Sequence, residues 1–137
     1  MTNPITRRLR ASVLNRAGNR CEYCQLSQQG QEATFHIDHV IPRTAGGPTT
    51  HDNLALACVG CSLRKGARQH AADPETAVET PLFNPRTDSW QEHFRWNTSI
   101  LQGTTPTGRA TVVALALNRP LLLAIREEES FLGRHPQ

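Results

Sequence analysis

Apolar positions recur along the chain in short groups of differing period. Over residues 4–20, Leu9, Val13 and Leu14 form a loose helical stripe. Thr6 is placed to cap that helix, and Gly18-Asn19 to stop it. Residues 25–32 are polar and read as a loop. Residues 34–41 read as a strand with Phe35, Ile37, Val40 and Ile41 as apolar members. Pro42 ends it, because proline has no N–H for the ladder. Ala45-Gly46-Gly47-Pro48 is a turn, and residues 53–57 return as a short strand. A helix is expected over 62–70. After Asp73-Pro74 the chain is expected to loosen through Pro81 and Pro85. Trp90, Phe94 and Trp96 mark a return to packed structure, read as a small hairpin of 92–96 with 99–102. Val112, Leu115 and Ala116 give helical spacing over 107–118, with Pro106 suited to the first turn. A second helix is expected over 120–131. No internal repeat or low-complexity segment is present.

With 137 residues, 37% of them apolar, the expectation is a single domain over 1–137 with a modest core. A structural metal would help so small a unit to fold. The formal charge of +3 suits a polyanionic partner without requiring one. Arg7, Arg8, Arg10, Arg16 and Arg20 have no acid among them, which reads equally as a solvated helix face or as a DNA contact. Residues 1–18 lack the apolar stretch of an export signal. The best apolar run, 110–125, is broken by Asn118-Arg119-Pro120 and falls short of a membrane span. The expected compartment is therefore a reducing cytoplasm, and no membrane partner is expected.

In that setting, four cysteines in two C-x-x-C pairs read as metal ligands rather than disulfides. Cys21-Glu22-Tyr23-Cys24 and Cys58-Val59-Gly60-Cys61 each offer two sulfurs from one tight turn. Together they close a tetrahedral structural Zn²⁺ shell with no open position. The bland alternative is four buried thiols acting as small hydrophobes. Two evenly matched pairs argue against it.

The long interval between the knuckles carries Phe35-His36-Ile37-Asp38-His39-Val40-Ile41-Pro42-Arg43. Hydrolysis of a phosphodiester needs an activated water, a charge sink and an oriented phosphate. His39 is a candidate general base, since neutral imidazole dominates at pH 7. Asp38 is a hard oxygen donor suited to Mg²⁺ or Mn²⁺. Adjacent strand residues face opposite ways, so both reach one phosphate only if the strand bends at its end. The Asn53 amide is placed to bridge backbone groups across the long loop. Arg43, Arg64, Lys65 and Arg68 are candidate phosphate contacts, against the ordinary reading of solvated helix charges.

These residues resemble the HNH endonucleases with a ββα-metal fold. The resemblance is carried by the first knuckle, His36 to Arg43, Gly46-Gly47, Asp52 to Cys58, and Cys61 with Lys65-Gly66. It extends through Leu82 to Arg86, Trp90, His93 to Trp96 and Thr107 to Thr111. It implies an α+β, treble-clef-like (His-Me finger) nuclease core over 20–72. An extension over 73–137, a small hairpin and two helices, would pack on that core. It implies a metal-dependent DNA endonuclease in which His39 is the general base, Asp38 the ligand of a catalytic Mg²⁺, Mn²⁺ or Ni²⁺, and Asn53 the N of the motif. One position departs: the last motif residue, usually His or Asn, is Ser62. His36, on the Asp38 face of its strand, is a candidate to complete the shell, and His51 a weaker one. The rival reading is a zinc-stabilised nucleic-acid-binding module with a weakened site, marked by Ser62. The helices around Leu121-Leu122-Leu123 leave monomer and homodimer both open.

Overall fold

The computed structural model describes residues 4–136. Helix α1 (Arg7–Arg16) starts where Thr6 Oγ1 accepts from the Leu9 N–H at 3.1 Å. It ends short of the expected boundary because Gly18 and Asn19 both take positive φ, 61° and 58°. Strand β1 (His36–His39) pairs antiparallel with β2 (Leu54–Ala57), with Asp38 opposite Ala55 and His39 opposite Leu54. Both strands are shorter than expected. Helix α2 (Val59–Lys65) begins inside the second knuckle, three residues before the expected start, with Cys58 as its N-cap. The order β1–β2–α2 is the ββα unit that the motif implies.

The segment expected to loosen instead folds back as a hairpin of β3 (His70–Ala72) and β4 (Glu79–Pro81). Its turn is organised by buried Asp73, whose carboxylate receives Arg109 Nε and Nη2 at 3.0 and 2.8 Å and the Thr76 hydroxyl at 3.0 Å. Pro81 is tolerated there because the sheet has only two strands, so each has a free edge. The single-turn helix α3 (Trp90–His93) precedes the aromatic hairpin of β5 (Phe94–Asn97) and β6 (Ile100–Gly103). Helices α4 (Pro106–Ala114) and α5 (Pro120–Phe131) follow, α4 ending earlier than its apolar spacing suggests.

One apolar cluster runs through these elements, from Val13 and Leu54 to Phe83, Phe94, Leu101, Leu115, Leu117 and Leu122. Rings tie its parts: Phe83 meets Tyr23 and Phe94 edge-on at 6.4 and 5.3 Å between centroids. Among the described residues no helix is long and apolar enough to cross a membrane.

Candidate metal centre and cleft

The four cysteines converge. Cys21, Cys24, Cys58 and Cys61 are all buried, and their sulfurs lie within 4.8 Å of one another. Cys24 and Cys58 Sγ are 3.7 Å apart. A tetrahedron with Zn–S near 2.3 Å has sulfurs about 3.8 Å apart, so the donor set fits that ion. Burial pushes the Cys21 thiol well above its ordinary range, while hydrogen bonds from the other three pull Cys58 below it. A divalent soft ion at this position would let all four ionise.

A cation from the C-terminal helix accompanies it. Arg126 of α5 is buried and lines a small cavity with Cys24. Its Nη1 donates to Ser99 O and Asn118 Oδ1 at 2.9 and 3.1 Å, and its Nη2 to Leu117 O at 2.6 Å. Burial lowers its pKa, and negative charge at Cys24, Cys61 and Cys58 opposes that. A four-thiolate centre with a divalent ion carries net charge –2, which Arg126 is placed to offset.

Asp38 and His39 line one open cleft of about 750 Å³, together with Arg10, His36, Arg43 and Ser62. The strand ends at His39, and buried Pro42 leads into a one-turn helix at Arg43–Ala45, so the chain bends where both side chains are needed. Asp38 lies at the cleft's base, 8% exposed. Its Oδ2 accepts from the Tyr23 hydroxyl at 2.7 Å and from Lys65 Nζ at 3.1 Å. Burial raises the Asp38 pKa, opposed by Lys65 and by the Tyr23 hydrogen bond. His39 is half-buried. Thr49 Oγ1 lies 2.9 Å from its Nε2, and the Arg43 Nε–H donates to the same nitrogen at 3.3 Å. Burial lowers the His39 pKa, helped by the positive charge of Arg43 and opposed by Asp38, which favours the neutral ring.

Asn53 bridges the loop as its side chain suggests. Its Oδ1 accepts from Ile41 N at 2.9 Å, and its Nδ2 donates to Ile41 O and Pro48 O at 3.0 and 2.9 Å. Gly47 makes that closure possible: a Cβ there would sit 1.8 Å from Ile41 O and 2.9 Å from Asn53 Nδ2. Ser62 reaches the cleft but spends its hydroxyl on His36, 3.0 Å from Nδ1. Among the described residues the four cysteines are the one group of three or more His, Cys, Asp or Glu close enough to hold an ion.

The four candidate phosphate contacts separate. Arg43 is exposed at the cleft. Lys65 is 2% exposed, paired to Asp38 and donating to His39 O at 3.2 Å, so its ammonium faces the protein interior and not solvent. The missed signal is helical spacing, since Lys65 lies four residues after buried Cys61 and shares its face. Arg64 lines a different groove with Arg119, and exposed Arg68 donates to Ala114 O at 2.9 Å. Of the N-terminal arginines, Arg10 lines the cleft and donates to Phe35 O at 3.2 Å. Arg16 donates to His51 O, and Arg20 to Gln25 O and Arg134 O. The His51 ring also meets Arg16 Nη1, at 3.0 Å from Nδ1, and His51 is not among the residues that line the cleft. Tyr23, Thr49 and Arg126 were not singled out from sequence.

Residues 21–68 match the family model described as HNH endonuclease, which spans the first knuckle to the turn after α2. These residues hold an HNH endonuclease domain. Over 118 residues the chain is 23% identical to "Septu protein PtuB" of Bacillus thuringiensis. That match covers 81% of this chain, and the chain spans 41% of that relative's length. No solved structure matches the chain.

Proposed function

We propose that the chain is a metal-dependent endonuclease that hydrolyses DNA phosphodiester bonds. The observation that carries this reading is the meeting of neutral His39, buried Asp38 and the Arg10 and Arg43 side chains at one cleft inside the HNH segment. Arg43 and Arg10 would draw a phosphate into the cleft, giving affinity and register without sequence readout. The Arg43 Nε–H points at His39 Nε2, which leaves the neutral ring's lone pair on that nitrogen. A phosphate oxygen that attracts Arg43 removes one of two donors from that nitrogen, and a water that displaces the Thr49 hydroxyl, 2.9 Å away, would meet the lone pair. His39 then takes the water's proton as its oxygen attacks phosphorus, the bond to the leaving sugar oxygen breaks, and that oxygen is protonated from solvent. A divalent ion at Asp38 would supply the charge that stabilises the pentacovalent phosphate and the leaving oxygen. The four cysteines would hold Zn²⁺ for structure alone.

Asn53 acts through geometry in this reading. Asn53→Ala is expected to fold, keep its zinc and bind DNA, yet cut about 10²-fold more slowly, because small misplacements of a catalytic group cost that much. Its DNA affinity and single-turnover rate, measured side by side, check this. Cutting at the wild-type rate would remove Asn53 from the mechanism.

One observation favours the binding-only reading: Ser62 brings only a hydroxyl, and His36 already occupies it. Ser62→His would add an imidazole facing Asp38. It is expected to tighten binding of the second ion and shift preference from Mg²⁺ toward Ni²⁺, since imidazole suits later transition metals. Nicking rate against Mg²⁺, Mn²⁺ and Ni²⁺ concentration tests the reading and the substitution together. Unchanged metal dependence would mean that position 62 does not face the ion, and no nicking with any ion would favour the binding module.

A further inference from the structure

We infer that Tyr23 and Lys65 are positioning residues through which the two cysteine knuckles aim Asp38. They hold its Oδ2 and leave Oδ1 as the oxygen presented to a divalent ion. The inference rests on the reading of Asp38 as the ligand of that ion.

The placement of the two residues carries it. Tyr23 lies between Cys21 and Cys24, inside the first knuckle, and its ring is 1% exposed. Lys65 closes α2, whose first turn contains Cys61 of the second knuckle. Each knuckle therefore sends one buried side chain to the same carboxylate oxygen, at 2.7 Å from Tyr23 and 3.1 Å from Lys65. Lys65 also donates to His39 O at 3.2 Å, so one ammonium fixes both the carboxylate and the backbone of the neighbouring base. Tyr23 is itself held: Phe83 packs edge-on against its ring, and Trp90 Nε1 donates to its carbonyl at 3.0 Å. A carboxylate with one oxygen taken by two donors cannot rotate to chelate through both. It offers a single oxygen in a fixed direction, as an ion that keeps most of its waters requires. Partners of metal ligands commonly set affinity as strongly as this, about 10–100-fold per residue.

The arrangement links the two metal positions. Loss of the structural ion would release the knuckles, and with them both donors to Asp38. The chain's one tyrosine makes this measurable, because incorporation of 3-fluorotyrosine labels position 23 alone.

The test uses the full zinc-loaded chain and two readouts independent of cutting. Mn²⁺ binding is measured by electron paramagnetic resonance for wild type, Tyr23→Phe and Asp38→Asn. The fluorine resonance of labelled wild type and Asp38→Asn is followed as Mg²⁺ is added. Asp38→Asn is expected to lose Mn²⁺ binding, and Tyr23→Phe to weaken it about 10–100-fold with zinc content unchanged. The wild-type fluorine resonance is expected to shift with Mg²⁺, and that of Asp38→Asn to stay still. If Tyr23→Phe binds Mn²⁺ as wild type does while Asp38→Asn does not, the positioning role is wrong and the ligand assignment stands. If Asp38→Asn also binds normally, the ligand assignment itself fails, and this inference with it. Should Tyr23→Phe lose zinc, the fluorine arm decides: a resonance unmoved by Mg²⁺ in protein that binds Mn²⁺ through Asp38 overturns the inference.

Discussion

Cys58→Ser is expected to leave the chain without its structural ion and without a cooperative fold. Cys58 sits where β2 ends and α2 begins, so its sulfur ties the metal to both elements that frame the cleft. Structural zinc sites bind with about 10–16 kcal/mol of apparent free energy. A domain of this size has a net stability of only about 5–15 kcal/mol. The apolar core here is small and shares its interior with the four sulfurs, so little remains to hold the fold once the ion is lost. Zinc content and the thermal melt by circular dichroism check this. A variant that keeps the wild-type melting temperature would show that the cysteines are an ordinary buried cluster.

His39→Ala is expected to lower cutting by about 10²–10⁴-fold while zinc content and folding stay unchanged, the usual span for removal of a general base. The side chain is half-buried at the cleft, with Nε2 at Thr49 and Arg43, so its loss is expected to leave the fold intact. The pH dependence should carry its signature. A base works when unprotonated, and burial and Arg43 hold the His39 pKa below its ordinary value. The acid limb of the rate profile should therefore lie lower than that of an ordinary histidine. Arg43→Gln removes one of the depressing charges, so the acid limb should move to higher pH. A limb that does not move would mean that Arg43 does not act on the base.

The two knuckles, the strand pair between them and the C-terminal helices were legible because each has a strong local cause. The cysteine spacing fixes two turns, alternation and Pro42 bound the strand, and Pro106 and Pro120 open the helices. The β3–β4 hairpin was not legible, because its turn depends on Asp73 meeting Arg109, 36 residues away. At the site, Asp38, His39 and Asn53 were singled out because their residue types could carry the chemistry, and the fold places the first two at one cleft and the third across the loop beside it. The burial of Lys65 was not legible, because a lysine in a basic helix is normally solvated, and its partner Asp38 lies 27 residues earlier in the chain. Tyr23 escaped notice for the converse reason. A tyrosine in a knuckle reads as filler until its hydroxyl is seen on the carboxylate.

The central claim is that the cleft cuts DNA with His39 as base. It is tested most directly by nicking of supercoiled plasmid by zinc-loaded wild type and His39→Ala, with Mg²⁺ or Mn²⁺ added or left out. The account predicts nicked circles from wild type only when the second ion is present, and at least ~10²-fold fewer from His39→Ala at the same ion concentration. Wild-type protein that binds the plasmid but never nicks it, or a His39→Ala variant that nicks as fast as wild type, would contradict it.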